Sequence, residues 1–374
     1  IEKGEERIFQ IKVKADAVGD ASIKAVVRSN DFSDGIEKSI SILPHGFDKL
    51  DFKSGKITQG NALAKIRLPD QRMEDSTSMV IRVTPSMAVT MLDALPYLVQ
   101  FPYGSTEQTM SRFVPAVVVL KTLTDFGLEK KDILNHLRGG IEKSYLSSRH
   151  NKSEGKIQDL ENVIKNSLDI IYDFQKPSGG WGWWKRNSED IYMTSYVVWG
   201  LSLAMDAGID IDRAHLERGR NYLLNIIGSI HAETDLLAWT LRAIGESRVA
   251  LNPNEKPDPK EISGFNAAWK THKEVSAYTR SLLALVAHNH GDKVKAEILV
   301  RNLENGIIKI DTSSIINLGI GSHTPAMHHW GKDGLFYRWS DSAVEGTSTA
   351  IEALTKINPN SPLLEPAVNW LLAQ

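Results

Sequence analysis

The chain has 374 residues, of which 41% are hydrophobic and 24% charged, and a formal net charge of −2; this is the balance of a globular protein with room for two or three domains. Lys and Arg are scattered, without the basic patch a nucleic-acid surface requires, and no apolar run approaches the ~20 residues of a membrane-spanning helix. Cysteine is absent, which excludes disulfides, zinc–thiolate sites and thiol nucleophiles.

The first 85 residues read as strands. Phe9, Ile11, Val13 and Ala15 alternate with Gln10, Lys12 and Lys14, the period-2 pattern of a half-buried strand. Ala21, Ile23, Ala25 and Val27 repeat it, and Ile40 and Ile42 mark a third strand. Beyond Pro44-His45-Gly46 come Ala64, Ile66 and Leu68, then Met79, Ile81 and Val83. The break predicts two incomplete β modules, over 1–47 and 48–85. At Pro85-Ser86 the period changes to that of a helix, with Met87, Met91, Leu95 and Leu98 at its spacing.

Helical patterns then continue over Val114–Phe126, Ile157–Phe174, Tyr192–Ala207, Leu216–Ile227, Thr234–Ile244, Val275–His288, Lys293–Leu303, Thr347–Ile357 and Pro366–Leu372. Runs beginning at Thr194, Tyr278 and Thr347 share a small-residue and aliphatic pattern. The first intervals between such runs are about the length of a helix pair with its turns, as in architectures that repeat that unit. The expected fold is mainly α, an α/α toroid over 86–374, with a loop insertion from Asp311 to Ala343. Asn252 to Glu261 is polar and proline-rich and reads as an exposed loop.

One segment carries chemistry: Pro102-Tyr103-Gly104-Ser105-Thr106-Glu107-Gln108, followed by an apolar helix. It resembles the thioester segment of alpha-2-macroglobulins, Pro-Tyr-Gly-Cys-x-Glu-Gln, with Ser105 at the cysteine. Thr84 to Leu98 and Gly179-Gly180-Trp181-Gly182-Trp183 resemble flanking runs of the bacterial members. On that resemblance, 1–47 ends a macroglobulin-like sandwich, 48–85 begins a CUB-like module and 86–374 is a thioester-type toroid. In the family, the Cys and the Gln three residues on condense, losing ammonia, into an internal thioester that captures a nucleophile. An alcohol is a poorer nucleophile for that closure, and no His or Lys within the segment would activate it. The motif of Tyr103, Gly104, Ser105, Glu107 and Gln108 is therefore expected to be inactive. From the residues alone, Ser105-x-x-Gln108 ahead of an apolar run reads as a capping box, with an internal Ser–Gln ester as the rival.

The resemblance implies a piece of a longer bacterial protease inhibitor, periplasmic or membrane-anchored through a segment outside this chain. Such a protein would enclose proteases by conformational change, and the Tyr103–Gln108 face would be sheltered by a neighbouring domain. Expected partners are thus proteases and neighbouring domains, with no cofactor. His231 lies downstream, but its flanks match no acyl-relay histidine. The alternatives are an envelope scaffold, or an α/α-toroid hydrolase or cyclase drawing on Glu189, Asp190, Asp341 and Glu345, although no clustered acid motif exists. Gln175 to Trp184 is similar to the Gln…Gly-Trp repeats of terpene cyclases, and reads from the residues as a turn packing aromatics over a helix end. Trp330, Phe336, Tyr337 and Trp339 read either as loop anchors or as a face for a neighbour; with Trp181 and Trp183, Trp330 and Trp339 make a candidate domain-contact surface. His323, His328 and His329, and His288 with His290, lack the spacing of a metal site, and no metal is expected.

Overall fold

The computed structural model describes residues 5–43, 46, 49–51, 53, 64–72, 77–81, 83, 104–125, 157–310, 326–332 and 342–374. It divides into two compact units, Ile1–Phe52 and Lys53–Gln374.

In the first unit, β1 (Gly19–Arg28) and β2 (Ser33–Ile42) form an antiparallel hairpin, with Gly19 opposite Ile42 and Arg28 opposite Ser33. Ser29 closes the turn, its N–H donating to the Phe32 carbonyl at 2.7 Å. Cross-strand bonds from Ser22 to Glu37 and from Ser41 to Asp20 fix the register. The strand expected over Phe9–Ala15 does not form: residues 5–16 have no regular structure, and Phe9 and Ile11 are about four-fifths exposed. Alternation marks a face that could be buried, but a strand exists only with a hydrogen-bonded neighbour. In this unit β1 and β2 pair with each other. The same holds for the expected strands at Ala64–Leu68 and Met79–Val83, whose described residues carry no strand.

The second unit is helical. In chain order its described helices are α1 (Thr106–Asp125), α2 (Ile157–Phe174), α3 (Ile191–Asp206), α4 (Arg213–Ile226), α5 (Thr234–Leu251), α6 (Pro259–Trp269), α7 (Ala277–Asn289), α8 (Lys293–Asn305), α9 (Ala343–Ile357) and α10 (Leu364–Leu372). Most begin where a short polar side chain accepts an otherwise orphaned backbone N–H. Asp190, Asp212, Asp258, Ser276 and Asp292 cap α3, α4, α6, α7 and α8 in this way. Helix α6 corrects the loop expected over Asn252 to Glu261. Pro259 sits in its first turn, where a missing N–H costs nothing, so the proline-rich run ends in a helix start.

Odd- and even-numbered helices differ in role. Helices α1, α3, α5, α7 and α9 pack on one another in succession, and α2, α4, α6, α8 and α10 flank them. Helices α3, α5 and α7 are buried along much of their length, whereas α4 and α8 bury a single stripe. This is the expected α/α toroid, small and aliphatic residues inside and amphipathic helices outside.

Two of the hairpins are pinned identically. Trp181 donates its indole N–H to the Ile171 carbonyl in the last turn of α2 and its backbone N–H to the Thr194 hydroxyl at the start of α3. Trp330 donates its indole N–H to the Leu303 carbonyl of α8 and its backbone N–H to the Thr347 hydroxyl of α9. Each threonine hydroxyl donates back to the carbonyl of its tryptophan. A buried indole thus ties the end of an outer helix to the start of the next inner one.

Candidate functional site

The helix start at Ser105 is a reciprocal cap. Ser105 donates its backbone N–H to Gln108 Oε1 at 3.2 Å, and Gln108 donates its backbone N–H to Ser105 Oγ at 3.0 Å. Each side chain satisfies one of the orphaned donors of the first turn. The Ser105 carbonyl accepts from the Thr109 N–H and hydroxyl. Ser105 is buried, whereas Gln108 is exposed. Glu107 accepts from the Ser111 hydroxyl at 2.6 Å. Tyr103 lies outside the described residues.

The turn at Gly179–Trp184 clamps this helix start. Thr106 donates its N–H to the Trp183 carbonyl at 2.9 Å and its hydroxyl to the Gly182 carbonyl at 2.6 Å. At Gly104, φ is +150° and a Cβ would lie 2.9 Å from the Trp184 ring, so only glycine admits that ring. The turn is braced from behind: the Gln175 amide donates to the carbonyls of Gly179 and His215, and its oxygen accepts from Arg218. At Gly179, φ is +99° and a Cβ would sit 2.4 Å from the Arg218 carbonyl oxygen. The run from Gln175 to Trp184 is thus a structural brace for the motif helix.

For chemistry, what matters is the state of Ser105 Oγ. It accepts from the Gln108 backbone, and among the described residues no imidazole, amine or carboxylate is recorded against it. A serine nucleophile needs such a base; the bonds that Ser105 and Gln108 make are those of a helix cap.

The candidate domain-contact tryptophans need correction. Trp181 and Trp330 are 0% and 1% exposed, because their indoles are spent on the helix pins; neither can meet a neighbour. Trp183 is 43% exposed and stacks toward Tyr192 at 6.5 Å. Trp339 lies outside the described residues.

Of the four carboxylates considered for acid–base work, Glu189 and Asp190 are engaged otherwise. The Ser178 hydroxyl beside Glu189 holds its carboxyl below the usual value, the wrong direction for a general acid. Asp190 caps α3 through the Met193 N–H, Glu345 is exposed in the first turn of α9, and Asp341 lies outside the described residues. His290 bonds Glu261 at 2.8 Å, and His329 stacks on Trp370. His288 ends α7, and His323 lies outside the described residues. No group of three metal-ligating side chains occurs among the described residues. His231 lines a cleft of about 370 Å³ along α6, with Pro259, Ser263 and Lys270.

Sequence reasoning missed one cluster. Tyr192, Tyr196 and Trp199 form a stripe along α3, joined by Trp239 of α5 at centroid distances of 5.6–6.4 Å. Arg242 lies over the Trp199 ring at 5.3 Å and meets both oxygens of Glu352 on α9 at 2.6 Å. The i, i+4, i+7 spacing of the α3 aromatics was the available signal; their joining with α5 and α9 is a matter of packing.

Comparison with known proteins bears on the same region. Residues 77–227 match the family model described as the A-macroglobulin TED domain. An alpha-2-macroglobulin of Thermotoga maritima is 31% identical over 212 residues, 56% of this chain and 11% of that protein. The Anopheles gambiae thioester-containing protein 1 allele R1 is 23% identical over 328 residues, 80% of this chain and 22% of that protein. A solved Salmonella alpha-2-macroglobulin reacted with methylamine superposes with a TM-score of 0.50 at 16% identity, over 96% of this chain and 21% of that one. The chain therefore spans about a tenth to a fifth of the relatives it matches.

Proposed function

We propose that this chain, whose residues 77–227 match the A-macroglobulin TED domain, is part of a bacterial protease inhibitor of the alpha-2-macroglobulin family that traps proteases by enclosure, without a covalent bond. Ser105 takes the position at which thioester-forming members carry cysteine, and its partner Gln108 keeps its amide. The reading rests on one observation, the reciprocal hydrogen bonding of Ser105 and Gln108. A side chain acting as a helix cap, with no base against it, has no route to acyl transfer.

In this reading the toroid moves as a rigid body when a bait segment elsewhere in the protein is cut, and the face around Gly104 to Gln108 is covered by a neighbouring domain. The protein is not an enzyme, and it acts in the periplasm or on a membrane anchor facing it. The test is to mix the full-length protein with trypsin. Cleavage of a large protein substrate should be lost while a small peptide substrate is still turned over, and denaturation should release trypsin unlinked. Trypsin recovered covalently bound to this domain would overturn the proposal, as would unimpeded cleavage of the large substrate.

A further inference from the structure

The brace behind the Gly179–Trp184 turn has a histidine at its centre. His215 stands in the first turn of α4, its side chain 20% exposed and its ring stacked on Tyr172 of α2 at 4.3 Å. Its Nδ1 lies 2.6 Å from Gln175 Oε1. The amide nitrogen of Gln175 is spent on the carbonyls of Gly179 and His215, so it is the oxygen that faces the imidazole. Nδ1 of the neutral ring therefore carries the hydrogen and donates it, and Nε2 holds a lone pair. A proton taken up in acid goes to Nε2.

Two charged groups face the ring among the described residues. Arg218 Nη2 lies 3.0 Å from Nδ1 and donates to the same Gln175 oxygen at 2.7 Å. Asp212 Oδ2 lies 3.5 Å from Nε2, on a carboxylate that also caps α4. From α2 comes the Tyr172 ring, neutral because burial raises its hydroxyl, and from the turn the neutral Gln175 amide. Burial, then the Arg218 charge, hold the imidazole below its ordinary 6.5, and Asp212 offsets them only in part. A fold that disfavours the charged ring loses stability as pH falls below the unfolded value toward the folded one. That loss has a definite place. A new charge on His215 repels Arg218, and the two share one acceptor, Gln175. Gln175 in turn holds the Gly179 carbonyl, in the turn whose Gly182 and Trp183 carbonyls hold Thr106.

We propose that His215 is an acid-sensitive switch on the motif helix: when it becomes an imidazolium, Arg218 and Gln175 part, and the Gly179–Trp184 turn loosens its hold on Thr106. The switch is separate from the trapping role, and either can fail alone. The test is amide hydrogen exchange in the full-length protein at about pH 7.5 and about pH 5.5, either side of an ordinary histidine, with times scaled for intrinsic rates. Peptides spanning Gly179–Trp184 and the start of α1 should lose protection at the lower pH, while α9 keeps its own. His215→Asn, whose amide can still donate to Gln175 but takes up no proton, should be protected equally at both. Arg218→Gln removes the neighbouring cation and should shrink the difference, and it keeps the test alive if His215→Asn misfolds. Unchanged protection of the turn in the native protein would overturn the proposal. So would the full loss persisting in His215→Asn or in Arg218→Gln.

Discussion

At the residue scale, the motif helix depends on contacts that single substitutions separate. Ser105→Ala removes the acceptor for the Gln108 N–H and should lower stability by about 1 kcal/mol, measured by urea unfolding. Gly179→Ala should cost more, about 1–3 kcal/mol for the backbone conformation alone, because the new Cβ also meets a backbone carbonyl that cannot turn aside. The cap was legible in the sequence because it is local: Ser105 and Gln108 are a turn apart, and their residue types suffice. The fate of Trp181 was not legible. Whether an indole beside two glycines faces solvent or core depends on the α2 carbonyl it reaches, ten positions back, and no local pattern encodes that bond.

At the scale of elements, a buried ionic cluster joins α5, α6 and α7. Glu261, fully buried, accepts from Arg248 Nε at 3.3 Å and is bonded to His290, while Arg248 also donates to the carbonyls of Glu255 and Asn289. Burial alone would push the Glu261 carboxyl up. The His290 hydrogen bond and the Arg248 charge outweigh it and hold the carboxyl below its ordinary 4.5. A carboxyl depressed in the folded state contributes stability that is present above its unfolded pKa and lost as pH falls through the folded one. Thermal unfolding should therefore lose stability below about pH 4.5, and Glu261→Gln should flatten that dependence while costing roughly 3–5 kcal/mol at neutral pH. Neighbouring helices show where sequence reading works. The helical period over Val275–His288 and Lys293–Leu303 marks α7 and α8, but α6 hides in a run whose prolines suggest a loop until Asp258-Pro259 is read as cap and first turn. Strands fared worse, since Phe9–Ala15 has the right alternation but no partner to pair with among the described residues.

For the whole molecule, the toroid was legible because its unit repeats at a readable interval, and the twin pins at Trp181 and Trp330 give that repeat a physical basis. Thr194→Val and Thr347→Val should each loosen one hairpin, at about 1–3 kcal/mol for the buried N–H left without an acceptor, read by calorimetry. The α3 aromatics were legible in their spacing, but their joining with Trp239 and Arg242 of α5 was not, because only packing brings those helices together. The account turns on whether Ser105 and Gln108 are joined by hydrogen bonds or by a covalent bond. An intact mass of the full-length protein before and after methylamine decides it. The encoded mass, unchanged by the amine, is the predicted result; a mass one ammonia lighter that gains methylamine at Gln108 would contradict it.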